Sequence, residues 1–404
     1  MYSKYLQCRT VICRRKNVLY STITETFLSQ YKGSVRKWEF LKLQRSNFHT
    51  TQRLHYPTSV ILCFGTSLCG LYIRKWWLRQ TPIRQEKLIN WYRKRRHILN
   101  GTLGFMSLIL FIYCLTCFER DPIVKKSRLI LFNQTQQIEN AKILYNLLVR
   151  NEDNVVPLSD PMYARVGRIL KKLSNSNQEI FKDYHWNVTI IYRMFDILTV
   201  PNVLILPNKN IIILSDIFNF ITSDDQLAFI LAHEMAHEIL LHTTETISWG
   251  IMCDIATLLI TFLFWLLYEK RRAAILCSGM YILSSSTYAW YKRRCETEAD
   301  EVGFQLAIKS CIDPREVVVF WEIIKTLEKL SARKNFHIPI FMHHPSSEQR
   351  KRKIIEMMPA ALELRRKAKC PELPVWDPKD YLPYYRKVIE KLIRKRLKIL
   401  GMQL

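Results

Sequence analysis

The chain has 404 residues, a hydrophobic content of 49% and a formal net charge of +26. This length allows one sizeable domain with appendages, and this hydrophobic content excludes a disordered protein. The basic residues cluster beside long apolar segments rather than on a recognisable nucleic-acid-binding module, so the charge favours a membrane and argues against a nucleic-acid partner.

Residues 1–50 are predicted to be a mitochondrial transit peptide. Residues 1–55 carry eleven Lys and Arg residues against only Glu25 and Glu39. An acid-poor, Arg-containing stretch with interspersed hydroxyl residues is typical of such presequences, whereas a secretory signal has a compact apolar core. The stretch 45–51 is a candidate cleavage site. The alternative is a basic tail with no targeting role.

Residues 51–118 are predicted to anchor the chain in a membrane. Residues 98–118 contain no charge and are long enough to cross a hydrocarbon core of about 30 Å, so they predict a transmembrane helix. Residues 57–73 are shorter and contain two glycines. Three placements are open for this segment: it spans the membrane with a tilt, lies partly in the membrane, or packs against protein. The basic, Trp-rich loop between them predicts the matrix side, which places everything after Phe118 in the intermembrane space.

Residues 119–370 are predicted to form one domain. The pattern from about 122 to 174 is helical and amphipathic, and the strands WNVTIIY, NVLIL and NIIIL follow from residue 186. These strands predict a small antiparallel sheet with a hairpin. An edge strand of such a sheet can bind an extended peptide through main-chain hydrogen bonds.

The stretch LAHEMAH follows the strands and carries the strongest chemical signal. Ser223 and Gln226 predict the start of a helix, on which His233 and His237 lie on one face and can bind one metal ion. Glu234 lies beside them, in the HExxH arrangement of zinc peptidases. The alternative is that both histidines pack in a core helix.

A third ligand is expected after a hydrophobic insertion, residues 249–290. The insertion predicts either a helical hairpin in the membrane or two helices lying against its surface. In the CETEAD stretch that follows, Glu296 and Asp300 share a helix face, so one can bind the metal while the other hydrogen-bonds a ligand histidine. Glu298 points elsewhere.

The eleven cysteines are scattered and predict no disulfide framework. Cys114 and Cys117 form a single CxxC inside the apolar segment, where they are expected to act only as small apolar side chains. Cys295 is adjacent to the expected ligand Glu296, which makes redox sensitivity there a hypothesis.

HEMAH, ETEAD and the later HPSSEQR together resemble the M48 family of membrane-associated zinc metallopeptidases, and most closely its mitochondrial inner-membrane branch. The resemblance covers about residues 75–370. It implies an α+β, zincin-like and mostly helical peptidase domain with a small antiparallel sheet, one or more N-terminal transmembrane helices and the hydrophobic insertion. It also implies that Glu296 is the metal ligand of the ETEAD stretch, with Asp300 behind the ligands, and it matches the HPS motif and its Arg to His344 and Arg350.

These residue types predict peptide hydrolysis with one Zn²⁺ per chain. Zinc held by His233, His237 and Glu296 activates water at neutral pH. Glu234 is then the general base and acid, and His344 is the candidate donor to the oxyanion.

The leading hypothesis is a zinc metalloendopeptidase of the mitochondrial inner membrane that faces the intermembrane space. The resemblance implies inner-membrane protein substrates, including the dynamin-like fusion GTPase, cleaved in stress response and quality control. The expected partners are these substrates, inner-membrane lipid and, for a homo-oligomer, further copies of the chain, with no nucleic acid. The alternatives are an inactive membrane scaffold and a matrix nucleic-acid-binding protein. Residues 371–404 are a basic amphipathic tail, predicted to lie on an anionic membrane or to be an ordinary solvated helix.

Overall fold

The computed structural model describes residues 52–121, 123–149, 154–192, 203–332 and 346–399. Contacts divide the chain into a first unit, Met1–Thr58, and a second unit, Ser59–Leu404, which contains the site. The predicted transit peptide, residues 1–50, lies outside the described residues, as does His344. Both therefore stay predictions.

Most of the described chain is helical, as the sequence predicts, and it contains two small sheets where the sequence predicts one. The helices are α1 Gln52–Leu78, α2 Pro82–Thr116, α3 Gln134–Leu148, α4 Pro161–Ser176, α5 Gln178–Phe181, α6 Asp224–Ile239, α7 His242–Leu267, α8 Lys270–Lys309, α9 Pro314–Ala332, α10 Ser347–Glu356, α11 Met358–Lys367 and α12 Leu382–Ile399. The strands are β1 Phe118–Arg120, β2 Ser127–Leu129, β3 Asn187–Ile191, β4 Val203–Ile205 and β5 Asn210–Leu214.

The basic stretch before the predicted span is helical, which corrects the expectation of a loop. Thr81 caps α2 by accepting a hydrogen bond from the Arg84 N–H, and Pro82 occupies the first turn, where its missing N–H costs nothing. The basic residues then continue without a break into the apolar segment, so α2 is one helix of 35 residues. Charge alone sets the membrane side of a segment but does not interrupt a helix.

A short hairpin replaces the start of the helix expected from residue 122. Strand β1 pairs antiparallel with β2, from Phe118 opposite Leu129 to Arg120 opposite Ser127. The Asp121 carboxylate accepts hydrogen bonds from the Ile123 and Val124 N–H groups, which favours a turn over a helix. The later amphipathic helix is confirmed, because α4 buries the predicted residues Val166, Ile169, Leu170 and Leu173.

The second sheet is mixed, so the prediction of a fully antiparallel sheet is wrong. Its strand order is β3–β5–β4, with β3 parallel to β5 and β4 antiparallel to β5. The predicted hairpin is β4–β5, and Lys209 takes a positive φ of 63° in its turn. A short apolar run looks the same in a parallel and an antiparallel pair, so the pattern does not give the direction of β3. β4 is left at the edge.

The hydrophobic insertion is a helical hairpin formed by α7 and the first half of α8. In the described chain α2 and α7 are long and apolar enough to cross a membrane. Helix α1 packs closely on α7, because a Cβ added at Gly70 would lie 2.7 Å from the Phe262 carbonyl oxygen. The Arg74 guanidinium donates to the Tyr268 carbonyl at the end of α7. Helix α1 therefore runs parallel to α7, with both C-terminal ends at the same level.

Helix α6 lies at the centre of the core of the second unit. It contacts α8, α4, α9 and strand β4, and Leu227, Leu231 and Met235 are fully buried on it. Ser223 accepts from the Gln226 N–H as predicted, but the Gln226 side chain turns to Thr222 and Glu316 rather than back to the cap. Only the Ser223 half of the predicted capping box forms. The Gln226 side chain instead connects the start of α6 to Glu316 on α9.

A disulfide between Cys311 and Cys370 joins the end of α8 to the loop after α11. The sequence predicted no disulfide, because two cysteines 59 residues apart show no spacing signal.

The basic C-terminal helix α12 packs its apolar side on the core. Ile389 is buried, and Leu382, Tyr385, Leu392 and Ile393 are packed against the core cluster. The apolar face is therefore occupied by protein, which favours the ordinary solvated helix over the helix on a membrane surface.

Replacing Cys370 with Ser is expected to lower the free energy of unfolding by about 2–4 kcal/mol, because the disulfide closes a long loop of the unfolded chain. Thermal unfolding of the purified full chain measures this. The exposed free cysteine Cys69 supplies the control Cys69→Ser, which should leave the unfolding temperature unchanged. An unchanged unfolding temperature in Cys370→Ser would contradict the expectation.

Candidate metal and catalytic site

Helix α6 places both histidines of the HEMAH motif at one end of the core. Because they are one turn apart, their rings meet, and the two Nε2 atoms lie 3.1 Å apart. His233 is buried and His237 is half-buried. The buried apolar residues around them, Leu231, Ala232, Met235 and Ala236, fix the helix and therefore the direction of both rings.

Helix α8 brings the carboxylate that completes the cluster. One Glu296 oxygen lies 3.5 Å from His233 Nε2, and the other lies 3.5 Å from His237 Nε2. Gly303, two turns beyond Glu296, allows this approach, since a Cβ at position 303 would lie 2.6 Å from the His233 Cα. The two helices therefore touch backbone to backbone at the site. Sequence analysis missed Gly303, although a lone glycine within a helix signals such a contact.

The cluster fits a zinc ion in both chemistry and spacing. One atom from each of His233, His237 and Glu296 lies within 4.8 Å of the other two. Two imidazoles and one carboxylate are the donor set of catalytic zinc sites, which keep one position open. Ligand atoms about 2.0–2.2 Å from a tetrahedral zinc are about 3.3–3.5 Å from one another, close to the separations in this cluster. The structure therefore brings together the three predicted ligands.

Asp300 lies behind His233, at the position the sequence predicted for it. Its Oδ1 is 3.1 Å from His233 Nδ1, so it accepts the proton on that nitrogen and leaves Nε2 for the cluster. The Arg350 guanidinium donates to Asp300 through Nε at 2.6 Å and Nη2 at 2.5 Å, and it lies over the Trp321 ring. Ser346 caps α10 and so fixes Arg350 on its first turn. The HPSSEQR motif thus supplies an arginine to the site.

Glu234 lies beside the cluster with part of its surface exposed. Burial raises the pKa of Glu234 to about 7, while the positive charges of His233 and Arg350 limit the rise. The Ile205 backbone N–H donates to its carboxylate. This hydrogen bond orients Glu234 and places strand β4 next to the site. A carboxyl group that titrates near neutral pH is suited to accept a proton and return it.

The two histidines have different charges in the metal-free chain. Burial lowers the pKa of His237 well below its ordinary value, so this ring is neutral. Burial also disfavours a charged His233, but hydrogen bonds to Asp300 and Glu296 outweigh it and raise the pKa of His233 to about 9. A metal ion must therefore displace a proton from His233, which makes binding weaker as the pH falls.

His242 has a place in the site that sequence analysis did not assign. It is buried, and its Nδ1 lies 3.0 Å from His237 Nδ1. Its Nε2 lies 3.2 Å from Glu298, the glutamate expected to point away from the metal. Glu298 does point away from the cluster. A histidine five residues after a ligand is the signal that was available.

Comparison with a model of a known protein family matches the region that contains the site. Residues 164–358 match the family model described as peptidase family M48. This part of the chain is a peptidase M48 domain. The matched range contains the HEMAH, ETEAD and HPSSEQR motifs of the M48 domain, so the family predicted from these motifs is confirmed.

Proteins similar to this chain are named as mitochondrial metalloendopeptidases. A Danio rerio protein named "Metalloendopeptidase OMA1, mitochondrial" is 30% identical over 321 residues, which are 77% of this chain and 65% of the relative. The Homo sapiens protein of the same name is 26% identical over 351 residues, 82% of this chain and 65% of the relative. A Saccharomyces cerevisiae protein, "Mitochondrial metalloendopeptidase OMA1", is 25% identical over 277 residues, 66% of this chain and 76% of the relative.

The chain spans 65% of the length of the two animal relatives.

Replacing Gly303 with Ala is expected to destabilise the protein by about 1–3 kcal/mol and to lower its zinc content, because the new Cβ overlaps the backbone of His233. Thermal unfolding and elemental analysis of the purified chain measure the two effects. Gly167, on α4, has no heavy atom within 4 Å of an added Cβ, so Gly167→Ala is the matched control and should keep both values. Equal zinc content in Gly303→Ala and the wild type would contradict the expected approach of the helices.

Proposed function

We propose that this protein is a zinc-dependent metalloendopeptidase of the mitochondrial inner membrane. The observation that carries the proposal is the convergence of His233, His237 and Glu296 on one point beside Glu234. The names of the relatives support the activity and the organelle. The motif helix α6 beside the edge strand of a small sheet supports a zincin-like domain.

Each described residue of the site has a role that follows from its position. When bound, zinc supplies a Lewis acid that polarises the scissile carbonyl and favours ionisation of water. His233, His237 and Glu296 would hold the ion, and Asp300 would keep the proton of His233 on Nδ1. Glu234 accepts the proton of the attacking water and donates it to the leaving amine. His344, outside the described residues, is proposed as the oxyanion donor.

The substrate is proposed to bind in an extended conformation along strand β4. Ile205 directs its N–H away from β5 and toward Glu234, so the outer edge of β4 lies beside the general base. Main-chain hydrogen bonds to an edge strand bind a peptide with little dependence on its sequence. This mode fits an endopeptidase whose substrates are various inner-membrane proteins. The dynamin-like fusion GTPase is one such substrate implied by the family resemblance.

We propose that α1 joins the α7–α8 hairpin in the membrane. Exposed apolar side chains line the hairpin, among them Leu259, Leu263, Ile275 and Ile282. The contact of Arg74 with Tyr268 brings the basic end of α1 to the basic turn 270–272, so both basic segments lie on the side that the positive-inside rule assigns to the matrix. The disulfide in the peptidase domain supports the opposite, more oxidising side for that domain.

An inactive scaffold is the alternative function. It would not require Glu234, yet Glu234 is present and held by the Ile205 N–H beside a complete set of three ligands. The site therefore favours the enzyme. Assembly into a homo-oligomer also stays a proposal.

Replacing Glu234 with Gln should lower the rate of peptide hydrolysis by about 10²- to 10⁴-fold, because an amide cannot accept the proton of water. The measurement uses the purified full chain in lipid vesicles with a membrane-protein substrate, with a chelator and zinc re-addition as separate arms. Glu238 also lies on α6, next in sequence to His237, so Glu238→Gln is the matched control and should keep most activity. Equal rates for wild type and Glu234→Gln would rule out the mechanism.

The proposed orientation predicts which residues a membrane-impermeant thiol reagent reaches in mitochondria with a ruptured outer membrane. In a chain whose other free cysteines are replaced by Ser, Lys171→Cys in the peptidase domain should be labelled. Arg272→Cys, in the turn between α7 and α8, should be labelled only after detergent is added. Labelling of position 272 without detergent would show that the turn is on the wrong side.

A further inference from the structure

His242 is the first residue of helix α7, and it lies next to His237, the second candidate metal ligand on α6. Helix α6 ends at Ile239, and Leu241 takes a positive φ of 54° to reverse the chain. A leucine in this conformation is strained, and the reversal persists because the residues on either side of it are fixed. It places His242, which is only 1% exposed, against the His237 ring. The chain direction is thus set so that two imidazoles meet in the interior.

The hydrogen bonds leave one arrangement of protons between these rings. His237 presents Nε2 to the cluster, 3.1 Å from His233 Nε2, so its proton must be on Nδ1 when Nε2 binds a metal. That Nδ1 is 3.0 Å from His242 Nδ1, which must then be the acceptor. His242 therefore carries its proton on Nε2 and donates it to Glu298, 3.2 Å away. Each N–H donor in this series of hydrogen bonds therefore has one acceptor.

Glu298 is itself held by the hairpin that follows the membrane-spanning helix α2. Lys126 Nζ lies 2.8 Å from one of its oxygens, and Arg128 lies 3.2 Å from the other. Arg128 also binds Asp121 at 2.7 Å and Glu245 at 2.8 Å. Arg128 and Asp121 are buried, and breaking a buried charge pair is costly because it leaves an uncompensated charge. The position of Glu298 is therefore tied to hairpin β1–β2.

We propose that His242 is a positioning residue for the metal ligand His237, and that Glu298 ties this position to the hairpin after the membrane span. The inference rests on the proposed zinc site and deepens it. His242 fixes the tautomer of His237 and the rotation of its ring, so that Nε2 faces Glu296. Partners that orient a ligand histidine in this way raise its basicity and contribute to metal affinity.

A purely structural His242 would stabilise the fold without affecting the metal, so the test separates stability from affinity. The zinc dissociation constant of the purified full chain in detergent is measured by competition with a chromophoric chelator. His242→Leu keeps the volume and removes both hydrogen bonds. His242→Asn retains an oxygen that can accept from His237 Nδ1. Glu298→Ala removes the hydrogen-bond acceptor of His242 and its link to the β1–β2 hairpin. Ile389→Ala lowers stability in helix α12, away from the metal.

His242→Leu is expected to weaken zinc binding by about 10- to 100-fold, His242→Asn by less, and Glu298→Ala by about tenfold. Ile389→Ala should bind zinc as the wild type does although it unfolds at a lower temperature. A wild-type affinity in His242→Leu, or an equal loss in Ile389→Ala, would overturn the positioning role. A wild-type affinity in Glu298→Ala would overturn the link to the hairpin. If the wild type itself binds no zinc, the proposed function fails. If the wild type binds zinc and His242→Leu binds it equally well, only the positioning role fails.

Discussion

The site depends on the backbone contact between helices α6 and α8 at Gly303. A Cβ at position 303 would lie 2.8 Å from the His233 backbone nitrogen, so only glycine allows the two helices to touch there. Glu296, Asp300 and Gly303 occur at intervals of four and three residues and therefore share one face of α8. This single face supplies a metal-ligand candidate, the partner of His233 and the space for the helix contact. A shift of α8 along α6 would separate all three from the histidines.

The charged groups of the site stabilise one another in the metal-free chain. Burial would raise the pKa of Asp300, but Arg350 and His233 hold it below its ordinary value. Burial also disfavours the charge of Arg350, and Asp300 outweighs that effect. A bound divalent cation would add positive charge where His233 now carries its proton.

A second layer of charge connects the site to the long apolar helices. Helix α2 leads directly into β1, and Arg128 of β2 bridges Asp121 to Glu245 on α7 and Glu298 on α8. Helices α7 and α8 extend from the site into the hydrophobic hairpin, where α1 packs. The same two helices therefore carry the groups of the site at one end and an apolar surface at the other.

The sequence by itself determined the local features of this protein: the amphipathic face of α4, the hairpin β4–β5, the apolar segments and the spacing of His233, Glu234 and His237. These follow from periodicity and residue type within a few turns of chain. Only the tertiary structure decided which distant residues meet. The parallel direction of β3, the disulfide Cys311–Cys370, the burial of α12 and the roles of Arg128, His242 and Gly303 depend on contacts between residues far apart in the chain. Such contacts leave no periodic trace, because each is set by how whole helices and strands pack and not by the residues next to it.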